Sequence, residues 1–322
     1  MRAVQVRELT GPDGLVVADV PEPVAVGAVL IEVEAAGVSF ADVLVSRGLY
    51  QVRSEPPFVP GMEAAGRVRS APPESGLAPG DRVCASAAGC FAEVVAAEPE
   101  RVFHLPDALS FAEGAALTVN YQTAMFAIAD RARFERGESA LVLGAAGGTG
   151  TSAIQVLRGL AAARVVGLVS TPEKAAVARS AGADDVVLIS ERWKAEARAL
   201  VGGRGYDLVY DPVGGDLFLD GLRSLATGGR LLVIGFAGGS IPEVRVNRLL
   251  LNNVGVLGAA WGEAVRGDPA LPRRIHERLV PLIEAGHVRP PIGAELPLER
   301  AADAYRLLAE RAAVGKVVLR VR

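Results

Sequence analysis

The chain has 322 residues, half of them hydrophobic, 22% charged and 37 of them glycine, which is enough apolar mass for about two domains and too much for a disordered protein. Its 34 basic residues nearly balance 37 acidic ones and only 5% of residues are aromatic, which argues against nucleic acid and anionic membranes as main partners. Two cysteines, Cys84 and Cys90, are too few for a disulfide framework or a four-thiolate zinc site. The opening residues run straight into an alternating pattern and no apolar run of roughly 18 residues follows, so a soluble, cytoplasmic protein is expected.

Up to about residue 115 the pattern is short strands, at 4–8, 14–20, 29–36, 63–68, 82–86 and 92–96, separated by turn signals such as Gly11-Pro12 and Pro79-Gly80-Asp81. This predicts a small, mostly β domain curled into a partial barrel. One helix interrupts it over 40–47: Ser39 and Asp42 have the spacing of a capping box, and Gly48 stands where a helix-ending glycine belongs.

From about residue 110, Ala-rich helical stretches at 111–128, 150–162, 173–181 and 216–226 alternate with apolar runs at 140–143, 165–169, 185–189, 208–210, 230–234 and 254–257. Runs without polar alternation predict a parallel sheet covered by helices on both faces. The tail reads as a helix at 273–285, a break at Pro290-Pro291, a helix at 298–311 and a strand at 316–321. The expected organisation is a doubly wound domain, 118–262, inserted into a first domain made of 1–117 and 263–322. The last sheet strand, near 253–260, is rich in Val, Leu and Gly; a bare edge of that kind is expected to pair with a second copy and make a homodimer.

The most informative segment joins the run 140–143 to the next helix. Ala145-x-Gly147-x-x-Gly150 follows a strand and opens a helix, a dinucleotide fingerprint with alanine in place of its first glycine. Gly147 lets backbone approach a pyrophosphate, Gly150 lets helix pack on strand, and the N–H groups of Gly148, Thr149 and Gly150 face the phosphates. About 20 residues on, where an NAD site carries Asp or Glu for the ribose, the second strand ends instead in Ser170, Thr171 and, three further on, Lys174. Hydroxyls and a cation suit a 2′-phosphate, so NADPH is the expected cofactor. The same residues also read as an N-cap with Pro172 at the first helical position.

Gly37-Val-Ser-Phe-Ala-Asp-Val-Leu-Val-Ser-Arg-Gly-Leu-Tyr50, Val59-Pro-Gly-Met-Glu-Ala-Ala-Gly66, Gly80-Asp-Arg-Val83, the glycine loop, Val209-Tyr-Asp-Pro-Val-Gly-Gly215 and Gly315-Lys-Val-Val-Leu319 together resemble the medium-chain dehydrogenase/reductase superfamily. The resemblance runs nearly end to end and favours the zinc-independent quinone oxidoreductase, zeta-crystallin-like branch. It implies an α/β fold in which a GroES-like, partly open β-barrel domain carries an inserted doubly wound (Rossmann) parallel-sheet domain. Zinc alcohol dehydrogenases of this superfamily take zinc on a Cys and on the His of a Gly-His-Glu motif. The matching positions here are Ser39 and Met62, neither a good zinc ligand, and His104, His276 and His287 have no ligand spacing, so no metal is expected. Without a Lewis acid for an alkoxide, the expected reaction is hydride transfer to a quinone or an α,β-unsaturated carbonyl compound, which spreads the charge over its own π system. An enoyl-thioester reductase and a non-enzymatic NADPH-binding protein are the alternatives.

The resemblance also suggests site residues. Ser39 replaces a family Asn that hydrogen-bonds cofactor or substrate, and equally reads as a helix cap. Tyr50 is a candidate donor to a carbonyl oxygen or a buried aromatic with a wet tip. Thr123 resembles a threonine near the nicotinamide, and Gly235 with Phe236 resembles the segment beside the nicotinamide ribose. Asn247 is a candidate for the cofactor region. Lys316 is placed either on a phosphate or at a solvated strand end. Acceptor shape is expected to depend on the loops 51–57 and 262–272.

Overall fold

An apolar-alternating start gives an antiparallel hairpin, β1 (Arg2–Val6) with β2 (Leu15–Asp19). The computed structural model describes residues 1–24, 26–51 and 53–322, and the chain divides into two units. The first comprises Met1–Val119, Pro269–Val280 and Arg289–Arg322; the second comprises Asn120–Asp268 and Pro281–Val288. Val52, in the loop expected to shape the acceptor site, lies outside the described residues.

In the first unit, β3 (Val29–Val38) leads into α1 (Phe40–Val45), followed by β4 (Glu63–Ser70), β5 (Arg82–Ser86), β6 (Val94–Ala97), β7 (Val102–His104) and α2 (Phe111–Gly114). Val29, Ile31 and Val33 alternate inward along β3 and meet Val83, Phe91, Tyr305 and Leu319 in one core, the period-2 burial expected of a half-buried strand. Among the described residues the sheet is completed by the end of the chain. Its order, with β6 also pairing β3, places β14 (Ile292–Pro297) and β15 (Lys316–Arg320) beside β3, then β4, β5 and β7.

The second unit opens with α3 (Gln122–Met125) and then alternates strand and helix: β8 (Ser139–Leu143), α4 (Gly148–Gly159), β9 (Arg164–Val169), α5 (Pro172–Ser180), β10 (Asp185–Leu188), α6 (Trp193–Ala199), β11 (Tyr206–Asp211), α7 (Gly215–Arg223), β12 (Leu225–Val233), α8 (Asn247–Asn252), β13 (Gly255–Gly258) and α9 (Trp261–Gly267). The strand order is β10-β9-β8-β11-β12-β13, and every pairing is parallel. Order reverses between β8 and β11, and ligands of such sheets bind beyond the strand ends at that point. Leu141, Val166, Val209 and Leu231 fill the core below it. Two helices complete the chain, α10 (Leu271–Glu284) and α11 (Ala301–Ala309). Among the described residues no helix is long and apolar enough to cross a membrane.

The expected single helix over 111–128 is interrupted. A capping box of Ser110 and Glu113 starts α2, but wide π-type turns over Leu117–Tyr121 and Phe126–Arg131 flank α3. The physical reason lies in Val119, whose N–H donates to the Glu63 carboxylate at 2.8 Å instead of joining a regular i→i−4 ladder. The strands β7 and β14 and the helices α6, α8 and α9 are additions to the expected elements. They are short or carry only one or two buried side chains, as with Trp193 and Ala197 on α6, which leaves little periodicity to detect.

Candidate active site

In the second unit the chain enters the site from β8. Gly144 takes φ +60, and the next residue, Ala145, is fully buried with its methyl over Gly167 of β9. A Cβ on Gly167 would lie 2.8 Å from that methyl. The missing first glycine of the fingerprint is thus matched by a glycine on the adjacent strand, so that one methyl occupies the space between them. Gly150 is the close-packed position: a Cβ there would run into the Gly144 carbonyl oxygen and stand 2.7 Å from the Ala145 Cα.

Gly147 differs. It caps α4 with extended backbone and no side-chain cap, and a Cβ on it would meet nothing nearer than 3.7 Å. Gly147, Gly148 and Thr149 are partly exposed. A twelve-residue helix therefore presents its first N–H groups, uncapped, at an open cradle, the arrangement that binds phosphate. These residues fit a dinucleotide.

At the tip of the neighbouring strand β9, Thr171 caps α5 by accepting the Lys174 N–H at 3.3 Å. The Lys174 ammonium reaches back to donate to the Ser170 hydroxyl at 3.2 Å, so cap and cation coexist. Glu173 points to the helix start, where its own N–H and the Thr171 hydroxyl hold its carboxyl below the usual range. Beyond β12, Gly235 and the 40%-exposed Phe236 begin a loop bonded to the β11–α7 turn: Ala237 N–H donates to Pro212 O at 3.2 Å and Gly238 N–H to Val213 O at 2.7 Å. Thr123 is the partly exposed residue of α3, between the buried Gln122 and Ala124. Its segment is held on α4 by Tyr121 Oη donating to Gln155 at 2.7 Å and by Ser152 Oγ donating to Asn120 O at 3.2 Å. Asn247 is exposed at the start of the short α8; among the described residues no hydrogen bond ties it to the glycine loop.

Ser39, Tyr50 and Lys316 belong to the first unit. Ser39 caps α1, and both its N–H and its hydroxyl donate to one oxygen of Asp42 at 2.7 Å. Its proton is therefore engaged, and the oxygen it presents is an acceptor, not the donor expected. Burial pushes the Asp42 carboxyl up to about 6 while the Ser39 hydrogen bonds oppose that rise. Tyr50 is half-buried in the bend after α1. Lys316 is neither at a solvated strand end nor available to a phosphate: its side chain is 3% exposed and its ammonium lies 2.5 Å from the Glu63 carboxylate. The other Glu63 oxygen accepts from Val119 N–H at 2.8 Å and Thr118 Oγ1 at 3.3 Å.

That cluster also tests the zinc position of the superfamily. The donors are the engaged Ser39 hydroxyl and Met62, and the nearby carboxylate carries an ammonium. The Cys84 thiol is pushed up to about 12 by burial, Cys90 is raised for the same reason, and Cys90 donates to Ala87 O at 3.1 Å. Among the described residues no three or more of His, Cys, Asp and Glu are grouped so that they could hold a metal ion. This donor set does not fit zinc. The connections that sequence reading missed are those of the Glu63–Lys316 pair and of Asp211; the Ser39–Asp42 contact is the capping box that the spacing announced.

Comparison with known proteins places this geometry. Residues 25–107 match the alcohol dehydrogenase GroES-like domain, and residues 148–283 match the zinc-binding dehydrogenase domain. The quinone oxidoreductase-like protein 2 of Bos taurus is 38% identical over 326 residues, covering 100% of this chain and 93% of that protein. A probable oxidoreductase from Mycobacterium abscessus superposes with a TM-score of 0.92 at 44% identity, covering 100% of this chain and 99% of that one. The quinone oxidoreductase of Thermus thermophilus, solved also with NADPH, gives 0.85 at 37% identity, with 100% of both chains covered. The expected GroES-like and Rossmann-type architecture is borne out.

Proposed function

The chain belongs to the quinone oxidoreductase branch of the medium-chain dehydrogenase/reductase superfamily, and from that premise we propose that it is a zinc-free, NADPH-dependent reductase of quinones or α,β-unsaturated carbonyl compounds. One observation carries this reading: the open, uncapped start of α4 stands at the end of β8, while Ser170 and Lys174 stand at the end of the adjacent β9. The α4 N–H groups hold a pyrophosphate, and Ser170 with Lys174 supplies a donor and a charge for a 2′-phosphate. The nucleotide brings a transferable hydride. Gly235 and Phe236 line its reduced ring, with Thr123 on the ring's polar side. Ser39, as hydrogen-bond acceptor, and Tyr50, as donor, are the acceptor-side residues of this reading. A conjugated acceptor disperses its own charge, so alignment and exclusion of water are what the protein must supply.

The test is direct. Purified protein is expected to oxidise NADPH in the presence of 1,4-quinones or 2-alkenals, and indifference to both acceptor classes would refute the reaction. Exchanging Ser170 and Lys174 together for Ala is expected to raise the NADPH Kd about tenfold and leave the NADH Kd unchanged, since an exposed charge-assisted contact contributes roughly 1–1.5 kcal/mol. Equal binding of both nucleotides by the unmodified protein would remove the cofactor assignment.

The partner of this reading is a second copy. Among the described residues β13 pairs only with β12, and Ile241, Val246, Leu250 and Leu251 nearby in sequence are 74–76% exposed. A bare edge with large apolar neighbours buries itself by strand pairing. Sedimentation at micromolar concentration should give a dimer that Leu251→Glu converts to monomer; a monomeric unmodified protein would exclude it.

A further inference from the structure

Asp211 ends β11, the strand that borders the switch point, and is 1% exposed. One carboxylate oxygen accepts the N–H groups of both Val213 and Gly214 at 2.8 Å; the other has no hydrogen-bond partner among the described residues. The turn so made contains two left-handed glycines, Gly214 at φ +65 and Gly215 at φ +56, a shape that β-carbon-bearing residues rarely adopt. It touches two structures at once. On one side the Val213 methyl Cγ2 lies 2.9 Å from where a Cβ of Gly144 would be, so the turn packs on the first residue of the glycine loop. On the other side it carries the loop after β12: Ala237 and Gly238 donate to the carbonyls of Pro212 and Val213, and Gly215 N–H donates to Ser240 O at 3.2 Å. The two halves of the nucleotide bed are separate in sequence and share this turn as a support.

We propose that Asp211 is a positioning residue for the nucleotide, acting through the Val213–Gly214 turn on the glycine loop and on the Gly235–Phe236 loop. This rests on the nucleotide-binding reading above. The acceptor oxygen, not the negative charge, does the positioning, because the second oxygen has no partner that would need a charge. Removing it orphans two N–H groups in the turn, and the bed must then be ordered at the expense of binding.

Asp211→Ala is expected to raise the NADPH Kd about thirty-fold, equivalent to about 2 kcal/mol, with far-UV circular dichroism unchanged. Asp211→Asn keeps an acceptor oxygen in the same place and should bind within about threefold of the unmodified protein. Wild-type affinity in a folded Asp211→Ala variant would overturn the proposal, as would an Asn variant as weak as the Ala one. If Asp211→Ala does not fold, Val213→Ala decides: it removes the packing on Gly144 and should weaken NADPH binding about threefold to tenfold, and unchanged binding would overturn the proposal. Hydrogen exchange without nucleotide separates this claim from the cofactor reading. In Asp211→Ala the amides of Val213, Gly214, Ala237 and Gly238 should exchange faster whatever the protein binds, and unchanged protection there would overturn the positioning role alone.

Discussion

Lys316→Met is expected to cost the first unit about 3–5 kcal/mol, because removing one member of a buried ion pair leaves the other charged and desolvated. The Lys316 ammonium and the Glu63 carboxylate are 3% and 1% exposed in their side chains. Glu63 cannot turn to water, since its other oxygen holds Val119 N–H and Thr118 Oγ1. Adding Glu63→Gln should recover part of the loss, because a neutral amide beside a thioether leaves no uncompensated charge. The readout can be assigned to its unit. Both tryptophans of the chain, Trp193 and Trp261, lie in the second unit, so denaturation followed by fluorescence reports on that unit and circular dichroism on both. The early loss should appear by circular dichroism. A Lys316→Met variant within about 1 kcal/mol of the unmodified protein would show that the pair is dispensable.

Gly150→Ala is expected to abolish measurable nucleotide binding and to destabilise the second unit by about 3 kcal/mol. The atoms nearest the added methyl would all be backbone, the Gly144 carbonyl oxygen and Ala145 Cα and C, and none of those atoms can turn away. Gly147→Ala makes the informative contrast. Its methyl has nothing within 3.7 Å, so stability should change by less than about 1 kcal/mol. The methyl would nevertheless stand where a phosphate approaches the start of α4, and NADPH affinity should fall about tenfold. Nucleotide titration beside thermal unfolding separates the two effects. A Gly147→Ala variant with unchanged affinity would place the pyrophosphate elsewhere.

Much of this site is legible before folding is considered. The β8–α4 segment declares itself because strand, glycines and helix are contiguous, and each glycine has a local reason. The same holds for the Ser39–Asp42 cap and for Thr171 with Lys174, three residues apart at a helix start. Lys316 is the opposite case. Its position in a strand suggests a solvated end, and its actual partner is 253 residues away. Ser39 is intermediate: its place at the helix start follows from spacing, but the direction of its hydroxyl follows from the burial of Asp42.

By itself the amino-acid sequence determined the alternation of strands and helices, the glycine loop between β8 and α4 and the absence of zinc-ligand residue types at the matching positions. These depend on neighbours within a few residues, through periodicity, capping and glycine backbone freedom. Tertiary structure alone decided that Glu63 takes Lys316 and Val119 instead of facing solvent, that Ala145 is tolerated because Gly167 lies beneath it, and that the turn held by Asp211 packs on Gly144 and carries the loop after β12. Each is a contact between distant segments that costs desolvation or space, and its balance is set only when sheet order brings the partners together.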